Sequence, residues 1–157
     1  TRLRRQPSSR SISCQAHVRG RRGGVATAPV TSGSEGMQLD AALPGDQDSS
    51  TISDEGRRIA RDVTRLRPEL VLWKMTKSLR PGKVLLDWSQ NAAAKTTITP
   101  YSLRGKDVPF VAAPRTWAEV ERGAEQRDSL SQLDMEDVLK RVARDGDLFG
   151  AMLSPPR

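Results

Sequence analysis

A single aspartate, Asp87, interrupts the mostly apolar sequence KVLLDW at residues 83–88. A carboxylate among apolar neighbours is costly to bury unless a metal ion, a cation or solvent compensates its charge. Ser89, Gln90 and Asn91 follow it and can donate hydrogen bonds. Three cations lie within a short stretch of chain on either side: Arg80, Lys95 and Arg104. Such a combination of carboxylate, donors and cations is able to hold a metal-bound phosphate.

The same residues have a simpler interpretation. An aspartate at the end of a strand more often caps a turn or pairs with a cation than binds a metal. Taken alone, Asp87 is expected in one of those roles, and only its neighbours favour a phosphate site.

Three strands are predicted around this aspartate. Side chains alternate between the two faces of a strand, so Asp87 lies on the face opposite Trp88. Residues 95–99 predict a second strand of β-branched character. Residues 37–43 alternate with period two, which indicates a half-buried strand. The apolar members of that last strand are Met37, Leu39, Ala41 and Leu43.

One long helix is predicted between these strands. Thr51 or Ser53 can cap it, and Pro68 interrupts it, after which residues 70–75 favour a second short helix. The apolar positions at helical spacing are Ile59, Val63, Leu66 and Leu70.

Two further helices are predicted near the end of the chain. Thr116 caps a short helix through Val120, and Asp134 begins a longer one. The apolar positions of the longer helix are Val138, Leu139, Val142 and Leu148. Strands and helices in this order predict an α+β fold without internal repeats.

Length and composition exclude a membrane-spanning chain. The 157 residues suffice for one domain, and 36% of them are hydrophobic. No stretch approaches the roughly 18 consecutive apolar residues that a membrane span needs. A single cysteine, Cys14, excludes an internal disulfide.

The net charge of +7 resides in the N-terminal segment. Residues 1–24 contain seven arginines and no acid, whereas residues 25–157 hold 19 basic and 19 acidic side chains. Such an Arg/Ser/Gly segment buries too little apolar surface to offset its ordering entropy, so residues 1–24 are predicted to be disordered. Three roles are open: a solvated tail, a nucleic-acid-binding arm or an organelle transit peptide.

Three motifs carry a resemblance to a known family. They are MTKSLRPGKVLLDWSQN at residues 75–91, AKTTITPYSLRG at residues 94–105 and VAAPRTW at residues 111–117. Together they resemble the polymerase domain of bacterial ligase D, a primase-like nucleotidyltransferase of non-homologous end joining in the archaeo-eukaryotic primase superfamily. Because the resemblance covers residues 29–153, residues 25–157 are interpreted as the C-terminal portion of such a domain. Residues 1–24 are hypothesised to be unrelated to the family, the product of an altered reading frame in a truncated gene.

The resemblance implies a partial primase-like core, in which a mixed sheet is flanked by helices. Asp87 matches one of three metal-binding aspartates of that family, which makes it the predicted catalytic and metal-ligating residue. The implied cofactor is a divalent metal, Mn or Mg, that activates a primer hydroxyl and neutralises the departing pyrophosphate. The implied nucleotide-binding residues are Ser32, Gly33, Arg80, Ser89, Gln90 and Arg104.

The sequence departs from the family pattern near the implied site. An Asp-x-Asp pair is expected upstream of the Ser32-Gly33 turn, but residues 1–24 contain no aspartate. Glu35 stands where the family usually has lysine, and Asp40 where it usually has an aromatic residue. A carboxylate beside a triphosphate is repulsive. Because the Asp-x-Asp pair is missing, metal binding is expected to be impaired.

Three functions follow as alternatives. The first is a truncated polymerase/primase domain that binds nucleoside triphosphates, either NTP or dNTP, and DNA ends during double-strand-break repair, but is inactive alone. The second is a non-catalytic nucleic-acid-binding remnant, and the third is a non-functional product of a decayed gene. The resemblance implies the bacterial cytoplasm, partnership with the Ku end-binding protein and a DNA ligase, and no membrane.

Overall fold

A five-stranded mixed sheet forms the centre of the molecule. The computed structural model describes residues 11–14, 27–43, 45–105, 107–126 and 130–150. The strand order is β2-β3-β1-β5-β4; β2 and β3 are antiparallel, and the other neighbours are parallel. The strands are β1 (Ser11–Cys14), β2 (Thr27–Thr31), β3 (Met37–Ala41), β4 (Val71–Leu72) and β5 (Val84–Leu86), and the helices are α1 (Ser49–Leu66), α2 (Trp117–Glu125) and α3 (Met135–Asp145). The predicted α+β class with a mixed sheet and flanking helices is confirmed.

Strand β1 corrects part of the prediction for the N-terminal segment. Ser11–Cys14 pair in parallel with β3 on one side and with β5 on the other, so disorder is wrong for these four residues. Composition averaged over 24 residues hides a strand this short, whose backbone groups find partners on two neighbouring strands. The rest of residues 1–24 lies outside the described residues.

The hairpin of β2 and β3 confirms the predicted strand but reverses its buried face. Gln38 and Asp40 are buried, whereas the apolar members of the strand, Met37, Leu39 and Ala41, are only half-buried. Gln38 is covered because its amide Nε2 donates to the carbonyl of Ile98, 3.1 Å away. The alternation predicted the period of the strand correctly. It could not predict which face is buried, because Ile98, which covers Gln38, lies 60 residues away along the chain.

Helix α1 begins earlier than predicted and packs through small residues. Asp48, not Thr51 or Ser53, is the N-cap, and its carboxylate accepts from the Thr51 amide at 2.8 Å. The buried residues are Gly56 and Ala60. A Cβ atom at Gly56 would lie 2.7 Å from Nδ2 of Asn91, so a larger residue there would have to displace the end of that side chain. Two predicted core positions are exposed instead: Leu66 at 78% and Leu70 at 50%.

Short irregular elements replace two predicted ones. The helix expected at residues 70–75 is instead β4, followed by a 3₁₀ turn at Lys77–Leu79. Residues 95–99, predicted as a strand, belong to none of the described strands. The strand around residues 83–88 is confirmed as β5, after which Trp88–Asn91 form a second 3₁₀ turn. For residues 71–72, pairing with β5 in the sheet decides the local structure in favour of a strand.

The C-terminal part packs against the outer edge of β2. The Thr31 amide donates to the carbonyl of Ala113 at 2.9 Å, and the Arg115 amide donates to that of Pro29 at 2.8 Å. The predicted cap of α2 is confirmed, since Thr116 and Glu119 form a reciprocal capping box. Three buried side chains form a small core here: Val111, Ala113 and Val138.

A half-buried ion network joins α2 to α3. The carboxylate of Glu119 accepts from both guanidinium nitrogens of Arg141, at 2.7 and 2.9 Å, and from Nη1 of Arg115 at 3.1 Å. Arg115 also donates to the carbonyl of Ser131. Burial raises the pKa of Glu119, but the hydrogen bonds from Arg141, Thr116 and Arg115 outweigh it and hold this pKa at about 2.

No helix in the described part of the chain is both long and apolar enough to cross a membrane.

Neutralising Glu119 should destabilise the fold in a pH-dependent way. Because its folded-state pKa lies below the ordinary 4.5, the stabilisation is present at neutral pH and is lost as pH falls toward 2. We expect Glu119→Gln to lower the free energy of unfolding by about 2 kcal/mol at pH 7. Urea unfolding of both proteins at pH 7 and pH 3 measures this difference, which should shrink at the lower pH.

The matched control is Glu136→Gln. Glu136 forms an exposed pair with Lys140 on α3, and removing it should change stability by less than about 0.5 kcal/mol. Equal effects of the two substitutions would contradict the assigned role of Glu119.

Candidate functional site

A cleft of about 300 Å³ opens beside the end of β5. The loop between β2 and β3 forms one wall, and residues 96–98 together with Arg104 form another. Of the residues implied at sequence level, Ser32, Asp87, Gln90 and Arg104 line this cleft. These four lie far apart in the sequence, so the fold brings them together.

Asp87 caps the turn that follows β5 and lines the cleft. It is the N-cap of the 3₁₀ turn Trp88–Asn91, and its Oδ1 accepts from the Ser89 amide at 3.2 Å and hydroxyl at 2.6 Å. Its Oδ2 accepts from Nε2 of Gln90 at 3.0 Å. An ionised carboxylate accepts about four hydrogen bonds. Asp87 therefore retains the capacity for a further ligand on the cleft side.

The loop between β2 and β3 is closed by its own hydrogen bonds. The Ser32 amide donates to the carbonyl of Gly36 at 2.9 Å, and the Gly36 amide donates to the Ser32 hydroxyl at 3.1 Å. Gly33 has φ of +65°, and a Cβ there would lie 2.8 Å from the carbonyl oxygen of Phe110. A glycine is thus required both by the backbone conformation and by the space. Gly33 supports the cleft wall from behind and does not line the cleft itself.

Arg104 fastens this loop to the opposite wall. Its Nη1 donates to the carbonyl of Ser32 at 3.1 Å, and its amide donates to the carbonyl of Phe110 at 2.9 Å. The guanidinium is half-buried and lines the cleft. Among the described residues that line the cleft, it is the one that carries a positive charge.

Arg80 is not brought to the cleft with the other implied residues. Its Nη2 donates to the carbonyl of Met75 at 2.6 Å, so the side chain closes the chain segment that contains the first 3₁₀ turn. Ser89 reaches the cleft only through its hydrogen bonds to Asp87. Of the six implied nucleotide-binding residues, Ser32, Gln90 and Arg104 line the cleft directly.

Gln38 is a residue of the site that the sequence did not single out, whereas Glu35 was singled out for its charge. Gln38 lines the cleft and donates through Nε2 both to the carbonyl of Ile98 and to Oδ2 of Asp40, at 3.1 and 3.2 Å. Glu35 is exposed on the loop between β2 and β3 and lines the same cleft. Two polar side chains at alternate positions of a short strand were the available signal for Gln38.

Asp40 is a buried carboxylate beside this site. It is 8% exposed, and its Oδ1 has no hydrogen-bond partner among the described residues. Burial raises the pKa of Asp40, and the hydrogen bond from Gln38 lowers it by a smaller amount. The fold therefore favours the neutral form of this side chain.

The described residues do not fit a complete two-metal centre. No three histidine, cysteine, aspartate or glutamate side chains of the described ranges gather in one place where they could hold a metal ion. The cleft offers two carboxylates, Asp87 and Glu35, against the single guanidinium of Arg104. Asp87 can supply one ligand, but the described chain does not supply the set that two divalent ions need.

The sequence matches a known protein family over most of its length. The sequence profile of the family described as "LigD, primase-polymerase domain" matches residues 12–149. The chain belongs to this family of metal-dependent polymerase domains. The matched region begins inside the arginine-rich segment, close to the start of β1.

Curated relatives and one solved structure agree with this assignment. The chain is 51% identical over 126 residues to the multifunctional non-homologous end joining DNA repair protein LigD of Mycobacterium tuberculosis. The matched region is 80% of this chain and 16% of that protein. It is 32% identical over 130 residues to the bifunctional LigD of Bacillus subtilis, of which it covers 20%. The polymerase domain from Mycobacterium tuberculosis ligase D in complex with DNA superposes with a TM-score of 0.76 at 48% identity, over 85% of this chain and 45% of that one. The chain thus spans less than half of each of these relatives.

Removing the buried charge of Asp40 should stabilise the protein at neutral pH. Because its folded-state pKa is raised, wild-type stability declines as the pH rises above the ordinary value of 3.8 and through the folded-state pKa. We expect Asp40→Leu to raise the free energy of unfolding at pH 7 by about 1 kcal/mol, since Gln38 keeps its bond to Ile98. Urea unfolding at pH 4 and pH 7 should show a larger gain at pH 7.

A suitable control is Asp46→Leu, which removes a carboxylate from an exposed loop position. Its effect should be small at both pH values. An Asp40→Leu protein whose stability advantage over the wild type shrank as the pH rose would contradict the raised pKa of Asp40.

Proposed function

We propose that this chain is the nucleotide-binding part of a ligase D-type primase-polymerase domain and acts on DNA ends in double-strand-break repair. Its cleft binds the triphosphate of an NTP or dNTP. The observation that carries the proposal is the contact of Arg104 with Ser32 across 72 residues of sequence. That contact joins a cation to a closed polar loop, and both line one cavity together with Asp87.

Each wall of the cleft contributes a different interaction with a phosphate group. The loop closed by Ser32 and Gly36 presents hydroxyl and backbone groups in a tight turn, which is a common way to receive phosphate oxygens. The guanidinium of Arg104 adds a charge-assisted hydrogen bond. Gln90 is held by its bond to Asp87 at the end of β5. A triphosphate is large and polar enough to use these groups together.

The charge of the cleft limits its affinity for a bare triphosphate. Glu35 and Asp87 outnumber Arg104, so the lining is net negative and repels an isolated polyanion. A divalent cation, Mn or Mg, carried by the nucleotide would reduce this repulsion, and Asp87 is the side chain placed to contact it. We therefore expect the metal complex of the nucleotide to bind more tightly than the free nucleotide.

Nucleotidyl transfer by this chain alone is not part of the proposal. Among the described residues, the carboxylates of the cleft are too few for two metal ions. Binding of DNA ends is proposed because one relative is a polymerase domain in complex with DNA. Partnership with Ku and a DNA ligase is proposed from the family resemblance of the sequence motifs.

Replacing Arg104 should weaken nucleotide binding. Arg104→Met removes one charge-assisted hydrogen bond to the triphosphate, so we expect the dissociation constant for Mn-GTP to rise about tenfold. Arg104→Lys should recover part of the loss because it restores the charge. Isothermal titration calorimetry measures both values.

The matched control for charge is Arg65→Met on α1, where the arginine is exposed and pairs with Asp62. Its dissociation constant should equal that of the wild type. Undetectable binding of Mn-GTP to the wild type, or equal effects of the two methionine variants, would contradict the proposed nucleotide site.

Primer extension tests the expected lack of catalysis. With manganese, ribonucleotides and a primed DNA end, we expect no extended product from this chain alone. The ligase D polymerase domain of Mycobacterium tuberculosis serves as a positive control. Extension by the wild type that disappears in Asp87→Asn would show that the ligand set of the described residues has been underestimated.

A further inference from the structure

Tyr101 has a backbone conformation that tyrosine rarely adopts. Its φ is +68°, the one positive value outside glycine in the described part of the chain. It follows Pro100 in a turn closed by the Ser102 amide, which donates to the carbonyl of Thr99 at 3.1 Å. Proline at the second position and a positive φ at the third are the pattern of a type II turn, where the third residue is normally glycine or asparagine. A tyrosine here costs free energy that glycine would avoid.

The side chain of Tyr101 accounts for this cost. Its ring packs against the small core formed by Val111, Ala113 and Val138. Its hydroxyl donates to Oδ1 of Asp147 at 2.6 Å, just beyond the end of α3. Burial raises the pKa of Tyr101, so the hydroxyl remains a donor at neutral pH. The side chain thus anchors the turn to α3 and to the core beneath it.

The anchored turn lies between two segments that form the cleft wall. Residues 96–98 precede it and line the cleft, and the carbonyl of Ile98 accepts the amide of Gln38. Arg104 follows it and bonds to Ser32. Between them, the Tyr101 amide donates to the carbonyl of Ala112 at 2.7 Å. A rotation at this turn would therefore displace both segments from the opposite wall.

We propose that Tyr101 is a positioning residue for the cleft, because its ring and its bond to Asp147 fix the turn that sets the places of residues 96–98 and Arg104. This proposal rests on the proposed function, because its effect is measured as nucleotide binding. Tyr101 acts on that binding indirectly, through the position of the cleft wall, and does not contact the nucleotide. A tyrosine that only filled the core would not need a positive φ. Holding the turn in place accounts for the free energy that this conformation costs.

The decisive variant is Tyr101→Gly, since glycine tolerates the turn conformation but lacks the anchor. We expect Tyr101→Gly to raise the dissociation constant for Mn-GTP about tenfold at a temperature where circular dichroism shows the variant folded. The control is Glu119→Gln, which weakens the ion network between α2 and α3 and removes no hydrogen bond of Tyr101 or of the cleft lining. Glu119→Gln should lower the melting temperature but leave the dissociation constant unchanged. Equal affinities of Tyr101→Gly and the wild type, or equal losses of affinity in the two variants, would overturn the proposal.

A second measurement needs no nucleotide and separates this proposal from the proposed function. In Tyr101→Phe, which removes only the hydroxyl, the amides of Tyr101 (now Phe), Ser102 and Arg104 should exchange with solvent at least threefold faster than in the wild type. Amides inside α1 should exchange at unchanged rates in the same sample. If the wild type failed to bind Mn-GTP, the proposed function would fail, while this exchange pattern would still decide whether Tyr101 holds the turn. Unchanged exchange at these three amides would overturn the positioning role.

Discussion

The hydrogen bond from the Arg104 guanidinium to the carbonyl of Ser32 is the contact on which the cleft depends. It joins the loop after β2 to a segment 72 residues later, and neither wall would be fixed without the other. Gly33 allows it, because any side chain at that position would collide with the carbonyl of Phe110. The pairing of residues 113–115 with β2 then holds the second wall against the sheet. The cleft thus forms through contacts between segments that are distant in sequence, and no single sequence motif forms it alone.

The net negative charge of the cleft lining is a second constraint on the proposed function. Asp87 is well ordered by Ser89 and Gln90, as a residue that contacts a metal-bound phosphate should be. Yet it shares the cleft with Glu35 and with no further metal ligands among the described residues. Preorganised geometry without sufficient positive charge supports recognition of a metal–nucleotide complex better than turnover of one. This balance explains why membership of a polymerase family and an expected absence of activity are compatible in one chain.

Local physical rules predicted the parts of the molecule that local interactions determine. The capping box of Thr116 and Glu119 and the strand before Asp87 follow from residues within a few positions of each other. The buried polar face of β3 did not, since Gln38 is covered by Ile98 and a sequence pattern cannot show what lies above a strand. Arg80 was expected in the cleft from its short sequence distance to Asp87 and from the resemblance, but its Nη2 donates to the carbonyl of Met75, five residues away. Strand β1 escaped prediction because its partners, β3 and β5, are both distant in sequence.

Amide chemical shifts during titration with a non-hydrolysable GTP analogue and Mg²⁺ test the central claim most directly. If the cleft is the nucleotide site, the largest changes will fall in the loop of residues 32–36, at residues 87–90 and at residues 96–104. Helices α2 and α3 will show small changes, since none of their residues lines the cleft. Changes centred on those helices, or no changes at saturating analogue, would contradict the account.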